Sequence, residues 1–319
     1  MAKRNGAVLA VLHKLEHSLA FFDVGTGAAL FSIRTGDFPH ELCVSPDHRK
    51  LYVTEYGLRG VETVGAGGNT VGVYDVRQRQ RSATISLGEY CRPHGITMRN
   101  GAGTTGRLFV TSEPRGFLLI LDAASGALQH AVQTGQQLPH LTAIAPDGRT
   151  VYTANVLSNS LTAIDAASGS VLANIPVLAR PEGMAFAPDG KLLYVVNRES
   201  RAIAIVDTHE QKMSDQIETG PGPVRIVITP DGKRLAFPLF HADALQLADT
   251  QSRAVTHTIP VGRQPAGVAL APDGTLVFVS CELERAVYVV SLVTNEVVNT
   301  IKTGEGPDAM VCLDASDLT

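Results

Sequence analysis

The 319-residue chain has no tryptophan, few aromatic residues and no long apolar run. No segment approaches the roughly 20 consecutive apolar residues that a membrane-spanning helix requires. The net charge is only −4, and no block of like charges stands out. Such a charge gives no reason to expect nucleic acid or a membrane surface as a partner. With 44% hydrophobic residues, the composition predicts an ordinary soluble globular protein.

Several chemical signatures are also missing. The four cysteines show no CxxC spacing, so a disulfide framework is not expected: Cys43, Cys91, Cys281 and Cys312. There is no Gly-x-Ser-x-Gly, phosphate loop, dinucleotide fingerprint or zinc-finger spacing. Near the start, the apolar run Ala7–Leu12 is short and is followed at once by charged residues. We therefore expect a β-strand rather than a secretion signal, and a cytoplasmic protein.

What the sequence does contain is a repeat. The turn Pro-Asp-Gly recurs with its proline at positions 146, 188, 230 and 272, each 42 residues after the last. A weaker copy precedes them at Ser45–His48, and degenerate copies fall at Arg99–Gly101 and Leu313–Ala315. Seven anchors at a period of about 40 residues indicate a repeat architecture.

Each repeat contains four short runs of alternating apolar and β-branched residues, separated by Gly, Asp, Asn, Pro and Ser turns. No segment has a sustained helical period. Three runs precede the first anchor, and one run, DAMVCLD, follows the last complete repeat. The sequence therefore predicts an all-β fold in one domain, residues 1–319. This is a seven-bladed β-propeller with four antiparallel strands per blade, its first blade closed by three N-terminal strands and one C-terminal strand.

The motifs LYVTE, VYTAN and LYVVN, with the Pro-Asp-Gly turns and Thr-Gly-x-x-Pro links, resemble those of the YVTN-type, YncE-like seven-bladed propellers. More distantly, the chain is similar to propeller lactonases and streptogramin lyase. The resemblance implies that the first strand of each blade lies nearest the axis. It also implies that the links into these strands, and the loops between second and third strands, open on one face.

The residue after each link proline then points toward the mouth of the channel, once per blade. Taken six residues before each anchor, this ring reads His40, His94, His140, Glu182, Val224, Ala266 and Asp308. Three histidines on successive rigid strands are suited to holding one divalent metal ion. Histidine ligands do not distinguish Fe, Mn, Zn, Ni and Cu. His241 is a possible fourth ligand from a different loop.

Carboxylates on the same face supply candidate catalytic groups. Glu55 and Glu113 are expected either to accept a ring N–H from a ligand histidine or to act as a general base. Glu182 either completes the coordination or orients a water. For substrate binding, Arg198 or Arg225 would hold a carboxylate or phosphate. Two further polar candidates lie in the loops between second and third strands, namely Asn155 and Asn197.

Two insertions depart from the repeat. Gly57–Asn69 lies on the face with the histidines, and its glycines suggest a lid or one wall of a pocket. Asn100–Gly106 falls on the opposite face, where a long turn is expected.

These features predict a metal-dependent enzyme that acts on a small organic molecule at the axial mouth, most simply a lyase or hydrolase. An oxygenase with His-bound iron is one alternative. A non-catalytic propeller that binds a ligand or a protein is the other, since propeller channels are wet and fold does not decide function.

Overall fold

The alternating apolar pattern folds into short antiparallel strands. In residues 6–98 and 106–318, which this computed structural model describes, there are 28 strands and one 3-10 helix. The strands form seven four-stranded sheets, which confirms the predicted seven-bladed propeller. The insertion predicted at Asn100–Gly106 lies almost wholly outside the described residues.

The blades are numbered in chain order, and each is a meander from the axis outward. Blade 1 contains β1 (Ala7–His13), β2 (Ser18–Asp23) and β3 (Ala29–Arg34). Blade 2 contains β4 (Pro39–Val44), β5 (Lys50–Glu55), β6 (Thr70–Asp75) and β7 (Gln80–Ser86). Blade 3 contains β8 (Pro93–Met98), β9 (Arg107–Ser112), β10 (Phe117–Asp122) and β11 (Leu128–Gln133). Blade 4 contains β12 (Pro139–Ile144), β13 (Thr150–Asn155), β14 (Ser160–Asp165) and β15 (Val171–Pro176).

The remaining blades follow the same plan. Blade 5 contains β16 (Pro181–Phe186), β17 (Leu192–Asn197), β18 (Ala202–Asp207) and β19 (Lys212–Glu218). Blade 6 contains β20 (Val227–Ile228), β21 (Arg234–Leu239), β22 (Ala244–Asp249) and β23 (Ala254–Pro260). Blade 7 contains β24 (Pro265–Leu270), β25 (Leu276–Cys281), β26 (Ala286–Ser291) and β27 (Glu296–Lys302). The last strand is β28 (Pro307–Asp314), followed by the 3-10 helix η1 (Ala315–Leu318).

Blade 1 is completed by β28, which pairs with β1 in antiparallel register, Val8 opposite Leu313. This confirms the predicted closure, in which the two ends of the chain share one sheet. Within the described part of the chain, no helix is long and apolar enough to cross a membrane.

The core lies between neighbouring blades. One cluster joins Phe22 of blade 1 to Phe278 and Val289 of blade 7, all 3% exposed or less. Because each sheet is covered on both faces by its neighbours, the middle strands read as nearly continuous apolar runs. Packing of this kind fixes the blades as a rigid frame around the axis.

The inner strands carry a β-bulge at the ring position. In blade 2, Pro39 pairs with Glu55 but Leu42 pairs with Val53, so one extra residue lies between them on β4. The same shift occurs in blades 1, 3, 4, 5 and 7. A bulge bends the strand and redirects a side chain, so the fold itself turns the ring residues toward the channel.

Blade 6 is the exception. Its inner strand β20 has only two residues, and Pro223 makes a single isolated bridge to Leu239. Pro221 and Pro223 lack the N–H that a sheet ladder needs, which shortens the strand.

Candidate functional site

All seven ring residues line one cavity of about 920 Å³ at the axial mouth, six of them on strands with a bulge and Val224 on blade 6 without one. Blades 2, 3 and 4 supply His40, His94 and His140, and blade 5 supplies Glu182. The other three ring members complete the lining: Val224, Ala266 and Asp308. The periodic position found in the sequence is therefore a single surface in the structure.

Hydroxyl groups fix two of the histidine strands. Thr111 Oγ1 accepts the bulge N–H of Gly95 at 2.8 Å and donates to the His140 carbonyl of the next blade at 2.7 Å. Thr54 likewise accepts from Glu41 N at 3.1 Å and donates to the His94 carbonyl at 2.8 Å. Because each hydroxyl satisfies a buried donor and a buried acceptor, it joins neighbouring blades at the residue that bears the imidazole.

The three imidazoles lie side by side. The ring centroids of His40 and His94 are 4.8 Å apart, and those of His94 and His140 are 3.7 Å apart. Burial lowers the pKa of His40 to about 3 and holds the pKa of His94 well below its ordinary value. Both rings are therefore neutral near pH 7. Within residues 6–98 and 106–318, the buried atoms His40 Nε2 and His94 Nδ1 have no hydrogen-bond partner.

His140 differs because it has a carboxylate partner. Its Nδ1 lies 2.7 Å from Oε1 of Glu113, and the Tyr56 hydroxyl donates to Glu113 Oε2 at 2.5 Å. Burial lowers the pKa of His140, but the hydrogen bond and charge of Glu113 outweigh it, so the pKa is raised. Glu113 is 1% exposed, and no lysine or arginine of the described segments lies within 4.0 Å of its carboxylate.

These groups fit a metal ion. His94, Glu113 and His140 form the only set among the described residues whose ligand atoms all lie within 4.8 Å of one another. Bonds of about 2.0–2.2 Å to a shared ion would keep two ligand atoms no more than about 4.4 Å apart, so a small side-chain movement suffices. Neutral imidazoles with unpaired nitrogens, beside a buried carboxylate without a permanent cation, are donors suited to such an ion.

A network of ion pairs extends from the His40 strand across the channel to blade 6. Asp308 lies 2.9 Å from Arg225, 3.6 Å from Lys14 and 3.5 Å from His40 Nδ1. Burial opposes ionisation of Asp308, but the charges of Arg225 and Lys14 prevail and lower its pKa to about 2. Arg225 also pairs with Glu41, reaching from blade 6 to blade 2 across the channel.

This network corrects one expectation. Arg225 was one of two arginines expected to hold a substrate anion, but its guanidinium is already bound by two carboxylates and by the Ala266 carbonyl at 3.1 Å. Its role in the structure is to join blade 6 to blades 1 and 2 through these ion pairs.

Three further candidates are not directed at the cavity. Glu55 accepts hydrogen bonds from Gly36 N and the Tyr74 hydroxyl, both at 2.8 Å, and pairs with Arg81 at 2.8 Å. Asn155 and Asn197 are fully buried within their own blades. Asn155 donates to the Ser160 and Thr162 hydroxyls, and Asn197 donates to the Val195 carbonyl. Glu55 therefore does not bond a ring histidine as expected, and Asn155 and Asn197 do not line the cavity expected to bind substrate.

These three side chains point away from the cavity because side chains alternate between the two faces along a strand. The last residue of each second strand points into the blade, and the residue after it points toward the axis. That second position contains Arg198 and Glu282, which line the cavity, and Tyr56 and Glu113 beneath the histidines. Tyr56 was missed by sequence reasoning, although it occupies in blade 2 the position that Glu113 occupies in blade 3.

His241 is exposed and lines the blade 6 side of the cavity. Its Nε2 lies 3.5 Å from Arg198 Nη2, and it is not part of the set formed by His94, Glu113 and His140. The structure thus does not bring the expected fourth histidine to the other three.

The insertion Gly57–Asn69 forms a wall of the cavity through Gly60, Val61 and Glu62. The Arg92 guanidinium holds this wall by donating to the carbonyls of Thr63 at 2.9 Å and Gly65 at 2.7 Å.

Comparison with known proteins identifies the class. A family model described as YNCE-like beta-propeller matches residues 104–315, more than half of the chain. The chain therefore belongs to the YNCE-like β-propeller family. No curated protein matches it.

Solved structures of similar shape include hydrazine synthase from Kuenenia stuttgartiensis, which is 18% identical with a TM-score of 0.73. That match covers 88% of this chain and 93% of the other. A functionally unknown protein from Desulfotomaculum acetoxidans DSM 771 is 14% identical with a TM-score of 0.78, over 96% of this chain and 98% of its own. At these identities the likeness shows the fold alone.

Proposed function

We propose that this propeller is a metal-dependent enzyme that acts on a small organic molecule at the axial mouth. The ion would be held by His94, His140 and Glu113, with His40 beside them as a further donor. The reaction class that fits these groups is proton transfer in a lyase or hydrolase.

One observation carries the proposal, namely the buried carboxylate of Glu113 next to unpaired imidazoles. Burying an ionised carboxylate in a protein interior costs on the order of several kcal/mol unless a positive charge compensates it. Within residues 6–98 and 106–318, neither lysine nor arginine pairs with it, so the compensating charge must come from protonated His140 or from a bound cation. The buried nitrogens of His40 and His94 have no partner within those residues either, and a cation would satisfy both deficits.

A divalent ion bound there would supply Lewis acidity to an oxygen of the substrate. Glu182 lines the cavity outside this ligand set and would accept the substrate proton, while the Tyr56 hydrogen bond holds the Glu113 carboxylate in place. The cavity of about 920 Å³ is in the range of a small-molecule site.

The test is elemental analysis of untagged protein purified without chelator. Wild type is expected to contain about one divalent ion per chain, and the double substitution His94→Ala with His140→Ala is expected to lose it. His209→Ala is the matched control, because that imidazole is 94% exposed on the outside of blade 5.

A thermal scan with added metals gives an independent readout, since a ligand that binds only the folded state raises Tm. Wild type and His209→Ala should both be stabilised by the same ion, and the double variant should not. Metal-free wild type that no divalent ion stabilises would contradict the proposal and leave a non-catalytic binding propeller.

A further inference from the structure

We infer that the cavity binds a small organic molecule that has one carboxylate and an apolar body. Arg198 binds the carboxylate, and the apolar body lies over blade 4. The inference rests on the proposed function only in taking this cavity as the substrate site, and it names the chemical class of the substrate.

The first support is the environment of Arg198. Its guanidinium carbon lies 4.9 Å from the centroid of the Phe240 ring, a cation–π contact that fixes the plane of the fork. Its closest carboxylate, Glu182, is at 3.3 Å through a single nitrogen. Its Nη2 also lies 3.5 Å from His241 Nε2. A planar, always charged fork with two such long contacts retains N–H donors for a bidentate contact with a carboxylate.

The second support is the charge of the wall to which Arg198 belongs. Blade 5 contributes three arginines and two glutamates to the cavity lining, a net charge of +1: Arg180, Glu182, Arg198, Glu199 and Arg201. A single negative charge on the ligand balances this wall, whereas a phosphate dianion would leave an excess.

The third support is that the other cationic groups are already engaged. Lys14 pairs with Glu282 and Asp308, and Arg225 pairs with Glu41 and Asp308. An anion could reach either only by displacing a buried carboxylate. The blade 5 wall is thus the favourable place for an anionic group.

The position of the apolar residues sets the orientation. Leu138, Leu141 and Val156 of blade 4 line the cavity. Blade 4 lies between blade 3, which bears His94, and blade 5, which bears Arg198. A ligand whose carboxylate meets Arg198 therefore lays its body over blade 4 and presents its other end to His140.

Benzoate is a suitable probe, with benzamide as its neutral counterpart of the same shape and inorganic phosphate as the dianion. Binding is measured by calorimetry on chelator-treated protein, so the result does not depend on a metal. Benzoate should bind, and benzamide and phosphate should bind more weakly. Arg198→Gln should lower the affinity for benzoate by about tenfold or more, which is the usual contribution of a charge-assisted contact.

Glu182→Gln should change affinity in the opposite direction, because it removes the carboxylate that competes for Arg198. Arg253→Gln is the matched control, because Arg253 of blade 6 pairs with Asp215 on the outer strand of blade 5. This variant should bind benzoate like wild type. Equal binding of benzoate and benzamide, unchanged affinity in Arg198→Gln, or tighter binding of phosphate would each overturn the inference.

Failure of this site and failure of the metal site are separable. Metal content is measured on the same Arg198→Gln preparation, where it should match wild type. If benzoate binds only to metal-loaded protein and is indifferent to Arg198→Gln, the carboxylate is a metal ligand and the Arg198 inference is wrong, while the metal proposal stands.

Discussion

His140 and Glu113 are joined across a blade boundary: Nδ1 of the imidazole in blade 4 lies 2.7 Å from the carboxylate of blade 3. This contact distinguishes His140 from its two neighbours in the ring. Burial alone would make all three imidazoles poor bases, and the carboxylate reverses that effect at one of them.

Glu113→Gln should therefore change the titration of His140. With the negative charge removed, burial is the main remaining influence, and the pKa of His140 should fall from above its ordinary value to below it. NMR of the imidazole protons in metal-free protein measures the shift. Glu55→Gln is the matched control, since that carboxylate binds Arg81 and Tyr74 inside blade 2. An unchanged titration in Glu113→Gln would show that the two groups are not coupled.

The hydroxyl of Thr111 should contribute to both stability and geometry. Thr111→Val leaves the Gly95 N–H and the His140 carbonyl without their shared partner. We expect a loss of about 1–3 kcal/mol in the free energy of unfolding, and weaker metal binding because the His140 strand is no longer tied to blade 3. Denaturant titration measures the first effect and metal competition the second.

Two comparisons make the Thr111 result specific. Thr111→Ser keeps the hydroxyl and should restore most of both properties. Ser280→Ala removes the equivalent hydroxyl in blade 7, which bonds Gly267 N at 2.8 Å and the Asp308 carbonyl at 2.9 Å. Ser280→Ala should reduce stability without affecting metal affinity, because the ring residue that Ser280 bonds is Asp308 and not a histidine. A metal affinity equally reduced in both variants would show a general loosening of the ring.

Acid should destabilise the metal-free protein before its carboxylates titrate. His40 stays neutral in the folded state down to pH about 3, whereas it protonates near pH 6.5 when unfolded. The unfolded state therefore binds more protons below pH 6.5, and stability decreases as the pH falls. Between pH 7 and pH 5 this amounts to about 2 kcal/mol for His40, and His94 acts in the same direction.

The raised pKa of His140 opposes this trend, because the folded state gains a proton there first. Chemical denaturation of wild type at several pH values, compared with His40→Asn, isolates the His40 contribution. His40→Asn should have a shallower slope between pH 7 and pH 5. The same slope in both proteins would mean that His40 is protonated in the folded state.

The sequence predicted the fold and the ring because both depend on periodic features. Pro-Asp-Gly turns at a step of 42 locate the blades, and the ring position keeps a constant distance from them. The bulges that turn His40, His94 and His140 inward were not predicted. They occur at the same place in each of these blades, so the residue six positions before each turn still faces the channel.

The contacts between blades could not be read in the same way. Glu113 with His140, and Arg225 with Glu41, join residues from different repeats whose distance depends on the closed ring. Glu55 was misjudged because a difference of one residue along a strand reverses the face. Nothing in the local sequence at Glu55 and Tyr56 states which of the two faces the axis.

Glu55 provides the last prediction, because it separates structural carboxylates from functional ones. It is 3% exposed, pairs with Arg81 and accepts from Gly36 N, Thr70 and Tyr74. Glu55→Gln should reduce the free energy of unfolding by about 2 kcal/mol, since it weakens a buried charge-assisted network. Metal content should stay at the wild-type level. Glu113→Gln should do the reverse, with a reduced metal content and a smaller effect on stability, because a neutral amide no longer needs a compensating cation. Denaturant titration and elemental analysis of both variants give the two comparisons, and loss of metal in Glu55→Gln would restore that residue as a candidate for the site.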